Sequence, residues 1–205
     1  GEVNYQELGR IASNLVRYLD NIIEYNLDRY IDHSSKRVMS MKRKIWIWVC
    51  GVADMFIKLN MSYGWAESIQ LATDITSFLN YQSKRASVDL ARTRWPFLAF
   101  GESLYMFDYV QERYASQPTN TVSSDQWKQL NNDIKELWIR NSNTIILPPT
   151  WRSSLIFWTS QQIEPIFSVL SPSWFVHRSL SHLPKHIQQE ITNIWSIARL
   201  TNEVV

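Results

Sequence analysis

At 205 residues with a formal net charge of +2, 45% hydrophobic and 20% charged residues, the chain has the balance of a globular protein and not of a disordered one. That length suits one domain with a real core, and residues 1–205 are read as a single domain. No apolar run approaches the ~20 residues of a membrane span and the N-terminus lacks a signal-peptide pattern, while one cysteine, Cys50, allows no internal disulfide and points to a reducing, cytoplasmic setting. Gly1 can be read as a tag remnant, and on that reading the natural chain could begin earlier.

In chain order, Leu8, Ile11, Leu15, Leu19, Ile22 and Ile23 recur at helical spacing and predict an amphipathic helix over about 5–30. Residues 45–50 form a β-branched and aromatic run that ends at Gly51, a strand signal, and helix restarts from Ala53 to Leu59. Asp54, at the start of that helix, is read as a cap or first-turn charge. From Trp65 to Leu90 a second set of apolar positions marks a long helix closed before Pro96. The polar stretch Ser116 to Ser124 is a loop. Ser123 with Gln126 makes a capping box for a helix near 124–139. Thr144 to Leu147 is a second strand, stopped by Pro148 and Pro149, and Ile187, Ile191, Ile194 and Ala198 predict a helix over about 186–201.

Two clusters invite a binding reading. Lys36, Arg37, Lys42, Arg43 and Lys44 put five cations in nine residues beside Trp46 and Trp48, a pattern that could grip phosphate and stack bases. A solvated turn is the simpler reading, because the net charge is only +2, and nucleic acid is not the expected partner. His182 and His186 stand four apart, the spacing of paired ligands on a helix, but Pro184 lies between them and no Cys or acidic ligand supports them. No metal site and no cofactor are expected.

A longer pattern carries more information. Residues 140–165, RNSNTIILPPTWRSSLIFWTSQQIEP, resemble a segment of the ribonucleotide reductase large subunit, most closely its cobalamin-dependent branch. In that family an Arg-Asn pair leads through a Thr-rich strand to Pro-Thr-Gly-x-Ile-Ser and then Ser-Ser-Gly-Ile-Glu-Pro. Arg140, Asn141, Thr144, Pro149, Thr150, Ser154, Ser160, Ile163, Glu164 and Pro165 fall on the pattern without a gap. Residues 43–63, RKIWIWVCGVADMFIKLNMSY, match a second segment through Arg43, Ile45, Val49, Gly51, Ala53, Asp54, Met55, Ile57, Leu59 and Tyr63. LVRYLDNIIEYN at 15–26 and RASVDLARTRWPF at 85–97 resemble two family helices, so the likeness spans about 5–165 and leaves 166–205 as a divergent helical tail.

The resemblance implies a mainly α chain with a small two-stranded parallel β element, part of a half α/β barrel of the ribonucleotide reductase type. It implies that Thr150, Arg152, Ser153 and Ser154 are what remains of a substrate-phosphate loop, and that Glu164 is a structural hydrogen-bond acceptor. Trp46, Trp48, Trp95, Trp151 and Trp158 stand on family glycines, as does Gln162. Glycine in an anion-cradling turn takes positive φ and aims several N–H groups at one phosphate, which an indole blocks. The family also draws on a radical cysteine and two reducing pairs, whereas Cys50 aligns with a methionine, so no catalytic residue is assigned and activity of the chain alone is not expected. A catalytically degenerate binding or scaffold module is therefore the leading expectation. The alternatives are a fragment of a split reductase whose partner carries the radical and redox cysteines, and a nucleic-acid-binding module built on the 36–44 cluster. A second copy or a partner protein is expected to cover the open half-barrel face, and a nucleotide is a weaker expectation. Reassignment of a glycine codon would explain the tryptophans together: UGA codons at the five tryptophans would support it, and UGG would mean true divergence.

Overall fold

A computed structural model of the chain describes residues 1–117, 119–166 and 189. They are mainly helical and fall into two compact units, one made of Glu2–Trp48 and Gln70–Ile146, the other of Val49–Ile69 and Leu147–Val205 with Gly1. The predicted tail helix and the His182–His186 pair lie outside the described residues.

In the larger unit, α1 runs Tyr5–Leu27 behind an Asn4 cap whose side chain accepts the Glu7 N–H. Its buried stripe is Gly9, Ala12, Val16, Asp20 and Ile23; of the Leu/Ile series that suggests the helix only Ile23 is buried, Leu8 and Leu19 are half-buried, and Ile11, Leu15 and Ile22 are exposed. The cause is close approach: a Cβ on Gly9 would stand 3.2 Å from Cζ of Phe78, so small side chains let α1 lie against its neighbour. Helix α2, His33–Lys42, has no buried residue and is organised by Asp32, whose carboxylate accepts the Ser34 and Ser35 N–H groups.

After α2 the chain alternates, with Arg43, Ile45 and Ile47 buried and Lys44, Trp46 and Trp48 outward, the period-two signature of extended chain. The predicted strand pair reduces to one isolated parallel bridge between Ile47 and Ile145. Ile45 N–H donates to the Asn143 carbonyl at 3.0 Å and Ile146 N–H to that of Ile47 at 3.2 Å. No strand forms among the described residues, because this single rung is not extended on either side.

In the smaller unit, α3 spans Val52–Lys58. The long α4, Ala66–Arg94, starts there and carries on into the larger unit, where its residues Tyr81 and Val88 join Phe97, Phe100, Trp127, Leu130, Ile134 and Ile139 in the main core. Trp127 is fully buried, edge-on to Tyr81 at 5.4 Å and stacked on Tyr114 at 4.7 Å. A second core of Val16, Ile23, Ile45, Ile47 and Leu90 packs α1 against the extended segment. Helix α5, Ser124–Leu137, opens on the predicted capping box: Ser123 Oγ accepts Gln126 N–H at 3.2 Å and Gln126 Oε1 accepts Ser123 N–H at 2.8 Å. Replacing Ser123 by Ala is expected to lower stability by about 1 kcal/mol, read as a shift of the urea midpoint with unchanged slope. Helix α6, Trp151–Phe157, belongs to the smaller unit.

Candidate functional site

The loop singled out by sequence lies around α6. Thr150 precedes the helix in the left-handed conformation, φ 52°, and is buried; its carbonyl accepts Ser154 N–H at 2.9 Å and its Oγ1 accepts Gln162 N–H at 2.7 Å. Ser154 is buried too and its hydroxyl donates to the Trp151 carbonyl at 3.0 Å, whereas Arg152 is exposed and Ser153 half-buried. The loop therefore keeps a fixed register: Thr150 ties the start of α6 to the turn at Gln162, whose φ is 38°.

From the α3 side, Asp54 lies in the first helical turn as expected, but its carboxylate serves the loop. Oδ2 accepts Ser160 N–H at 2.5 Å and Asp54 N–H donates back to Ser160 Oγ at 3.3 Å. Gly51 N–H donates to the Ser160 carbonyl at 2.9 Å. Gly51 has φ 81°, and a Cβ there would come within 3.2 Å of Thr159, so this position needs glycine on two counts. Asp54 Oδ1 is buried without a hydrogen-bond partner. The Tyr63 hydroxyl donates to the Ile163 carbonyl at 2.7 Å. Asp54 and Ser160 lie on separate matching segments, and the reciprocal bond that joins them has no local signal in the sequence. Glu164 enters the hydrogen bonding through its N–H, which donates to Gln161.

The basic cluster does not come together as one face. Arg43 turns inward, with Nε and Nη2 on Asp20 Oδ1 at 3.0 and 2.9 Å. Lys36 pairs with Asp28 at 2.8 Å, and Arg37, Lys42 and Lys44 remain exposed. Asp20 is the centre of a larger arrangement that the sequence did not reveal. Arg94 reaches Asp20 Oδ2 at 3.1 Å, Arg140 Nε reaches it at 3.2 Å, and Asn141 Nδ2 donates to Oδ1 at 3.1 Å. Arg140 also donates to the carbonyls of Arg94 and Trp95 and pairs with Glu24 at 3.1 Å. Burial pushes the Asp20 carboxyl up, but the Arg43 and Arg140 guanidiniums outweigh it and hold the group below its usual range. The matching Arg43, Arg140 and Asn141 thus serve to fix the backbone. Among the described residues no group of His, Cys, Asp and Glu could hold a metal ion, and no helix is long and apolar enough to cross a membrane.

Comparison with known proteins agrees with this frame. Residues 1–198 match the barrel domain of ribonucleotide reductase. The chain is similar to the vitamin B12-dependent ribonucleoside-diphosphate reductase of Thermoplasma acidophilum, 30% identical over 82% of this chain and 18% of that protein. It is similar to the ribonucleoside-diphosphate reductase subunit alpha of Chlamydia trachomatis, 27% identical over 95% of this chain and 18% of the relative. The large subunit of Arabidopsis thaliana is 26% identical over 93% of this chain and 23% of its own length. The chain thus spans about a fifth of the length of these relatives. With nearly its whole length matched, it belongs to the ribonucleotide reductase large-subunit family, within the barrel domain.

Proposed function

We propose that the chain is a working segment of a ribonucleotide reductase barrel, contributing the substrate-phosphate loop while another segment or partner chain brings the radical and redox cysteines. The observation that carries this reading is the maintained loop, in which Thr150, Ser154, Ser160 and Gln162 are locked by Asp54 and by one another. Loops with no remaining task have no reason to hold a left-handed threonine in place. Thr150, Arg152, Ser153 and Ser154 are the residues assigned to the diphosphate, and the half-barrel would be completed by the partner. Leu155, Ile156 and Phe157 of α6 are exposed, which suits a face covered in an assembly.

A second reading, a binding scaffold without catalysis, is favoured by Trp151, the first residue of α6, and Trp158, just past its end, where an open phosphate cradle would need small residues. Thermal unfolding with a nucleoside diphosphate, compared with the bare nucleoside, separates the two in the chain and in a Trp151→Gly/Trp158→Gly variant. The reductase reading expects the diphosphate, and not the nucleoside, to raise the melting temperature of at least the double variant. No shift in either protein leaves the scaffold.

A further inference from the structure

Ten tryptophans against five glycines in 205 residues invert the usual usage, in which glycine makes up ~7%. The structure sorts these tryptophans by backbone, independently of any function for the chain. Trp95, Trp138 and Trp158 have φ of 65°, 68° and 55°. Each follows directly on the last residue of a helix: Arg94 of α4, Leu137 of α5 and Phe157 of α6. That is where helices end on a left-handed residue, usually glycine. Each also makes the corresponding closing bond: Trp95 N–H donates to Ala91, Trp138 N–H to Ile134 at 2.9 Å and Trp158 N–H to Ser154.

Trp138 is the most telling. Its φ of 68° with ψ of −179° lies in a region that is essentially reserved for glycine, and no resemblance had marked it. The backbone there is not free to relax, since Ile139 immediately after it is fully buried in the main core. Nor does burial explain the positions of the rings. Every described tryptophan except Trp127 is exposed, Trp95 by 71%, although tryptophan is on average a well-buried residue. Arg43 shows what a side chain needs in order to sit at such a helix end: it too has positive φ, but its guanidinium is buried and held by Asp20. The stacking of Trp95 on Trp138, centroids 6.0 Å apart, joins two exposed rings and anchors neither to the core.

We infer that Trp95, Trp138 and Trp158 are glycines in the polypeptide its source cells make, specified by UGA codons that those cells decode as glycine, while Trp127 is a true tryptophan. Trp46, Trp48 and Trp151, marked by resemblance alone, join the set. Such decoding also puts glycine at the first position of α6 and just past its end.

The gene and the natural protein test this directly. UGA is expected at positions 95, 138 and 158 with UGG at 127, and a peptide spanning position 138 from the natural protein is expected to have the mass of the glycine form. UGG at 138, UGA at 127 as well, or a peptide carrying the indole would each overturn the inference. In the recombinant chain, Trp138→Gly is expected to raise the melting temperature by a few degrees and Trp127→Gly to lower it. A fall on Trp138→Gly would show that the backbone does not require glycine there.

Discussion

Asp20→Asn is expected to destabilise the larger unit by about 3–5 kcal/mol, because removing one member of a buried ion cluster leaves the others uncompensated. The side chain of Asp20 is 0% exposed and meets three guanidiniums, those of Arg43, Arg94 and Arg140. The amide keeps the shape and one acceptor but cancels the charge that makes the arrangement tolerable. A loss of this size is a large share of the ~5–15 kcal/mol by which a domain is stable, so the urea midpoint should move far or the chain should fail to fold. A midpoint within about 0.5 kcal/mol of the parent would mean that Glu24 alone can balance the cluster. The sign of the acid response follows. With its carboxyl held below the ordinary value, Asp20 contributes stability that is complete above the unfolded-state pKa of ~3.9 and is lost as pH falls through the folded one.

The second large effect has the same sign, stability rising with pH, but lies in the alkaline range. Lys84 is buried beside Tyr114, its ammonium donating to Asn80 Oδ1 at 2.7 Å. Burial, with a smaller push from Arg113, lowers its pKa to about 8. Below about pH 8 both folded and unfolded states carry the charge and the full cost of burying it is present. Between about 8 and the unfolded value of ~10.4, the unfolded chain binds more protons, so stability rises with pH. The whole interval is worth on the order of 3 kcal/mol. Above about pH 10 the trend is opposed by Tyr105 and Tyr5, whose pKa values burial pushes up and whose ionisation favours unfolding. Urea midpoints between about pH 8 and 10 should therefore climb in the parent. In Lys84→Met they should start higher at neutral pH and stay flat; a parent curve without slope would show that Lys84 finds water.

Sequence reasoning succeeded where the signal was local. The capping box at Ser123 and Gln126 and the stop before Pro96 involve groups a few residues apart, and both helices stand where those residues put them. Helix α2 has no apolar stripe to bury in HSSKRVMSMK, so periodicity does not show it; its local signal is the cap at Asp32. The α1 periodicity identifies the helix but only part of its buried face, Ile23 and the half-buried Leu19, since apolar spacing says nothing about a glycine and an aspartate that pack inward. At the loop, Thr150 and Ser154 are legible only through the family resemblance of residues 140–165. The bonds from Ser160 to Asp54 and from Gln162 to Thr150 are not legible, because the first pair is 106 residues apart and the second closes a turn on a backbone group. Exposed Trp138 carried no sequence signal at all; only its dihedral angles set it apart.

The arginine cluster has a consequence for synthesis in the cell. Arg140 trails Asp20 by 120 residues, so at ordinary elongation rates a nascent chain carries its buried aspartate for on the order of ten seconds before the last guanidinium leaves the ribosome. Until then α1 has only Arg43 and Arg94 to neutralise it, and chaperone capture of stalled chains should drop once Arg140 has emerged.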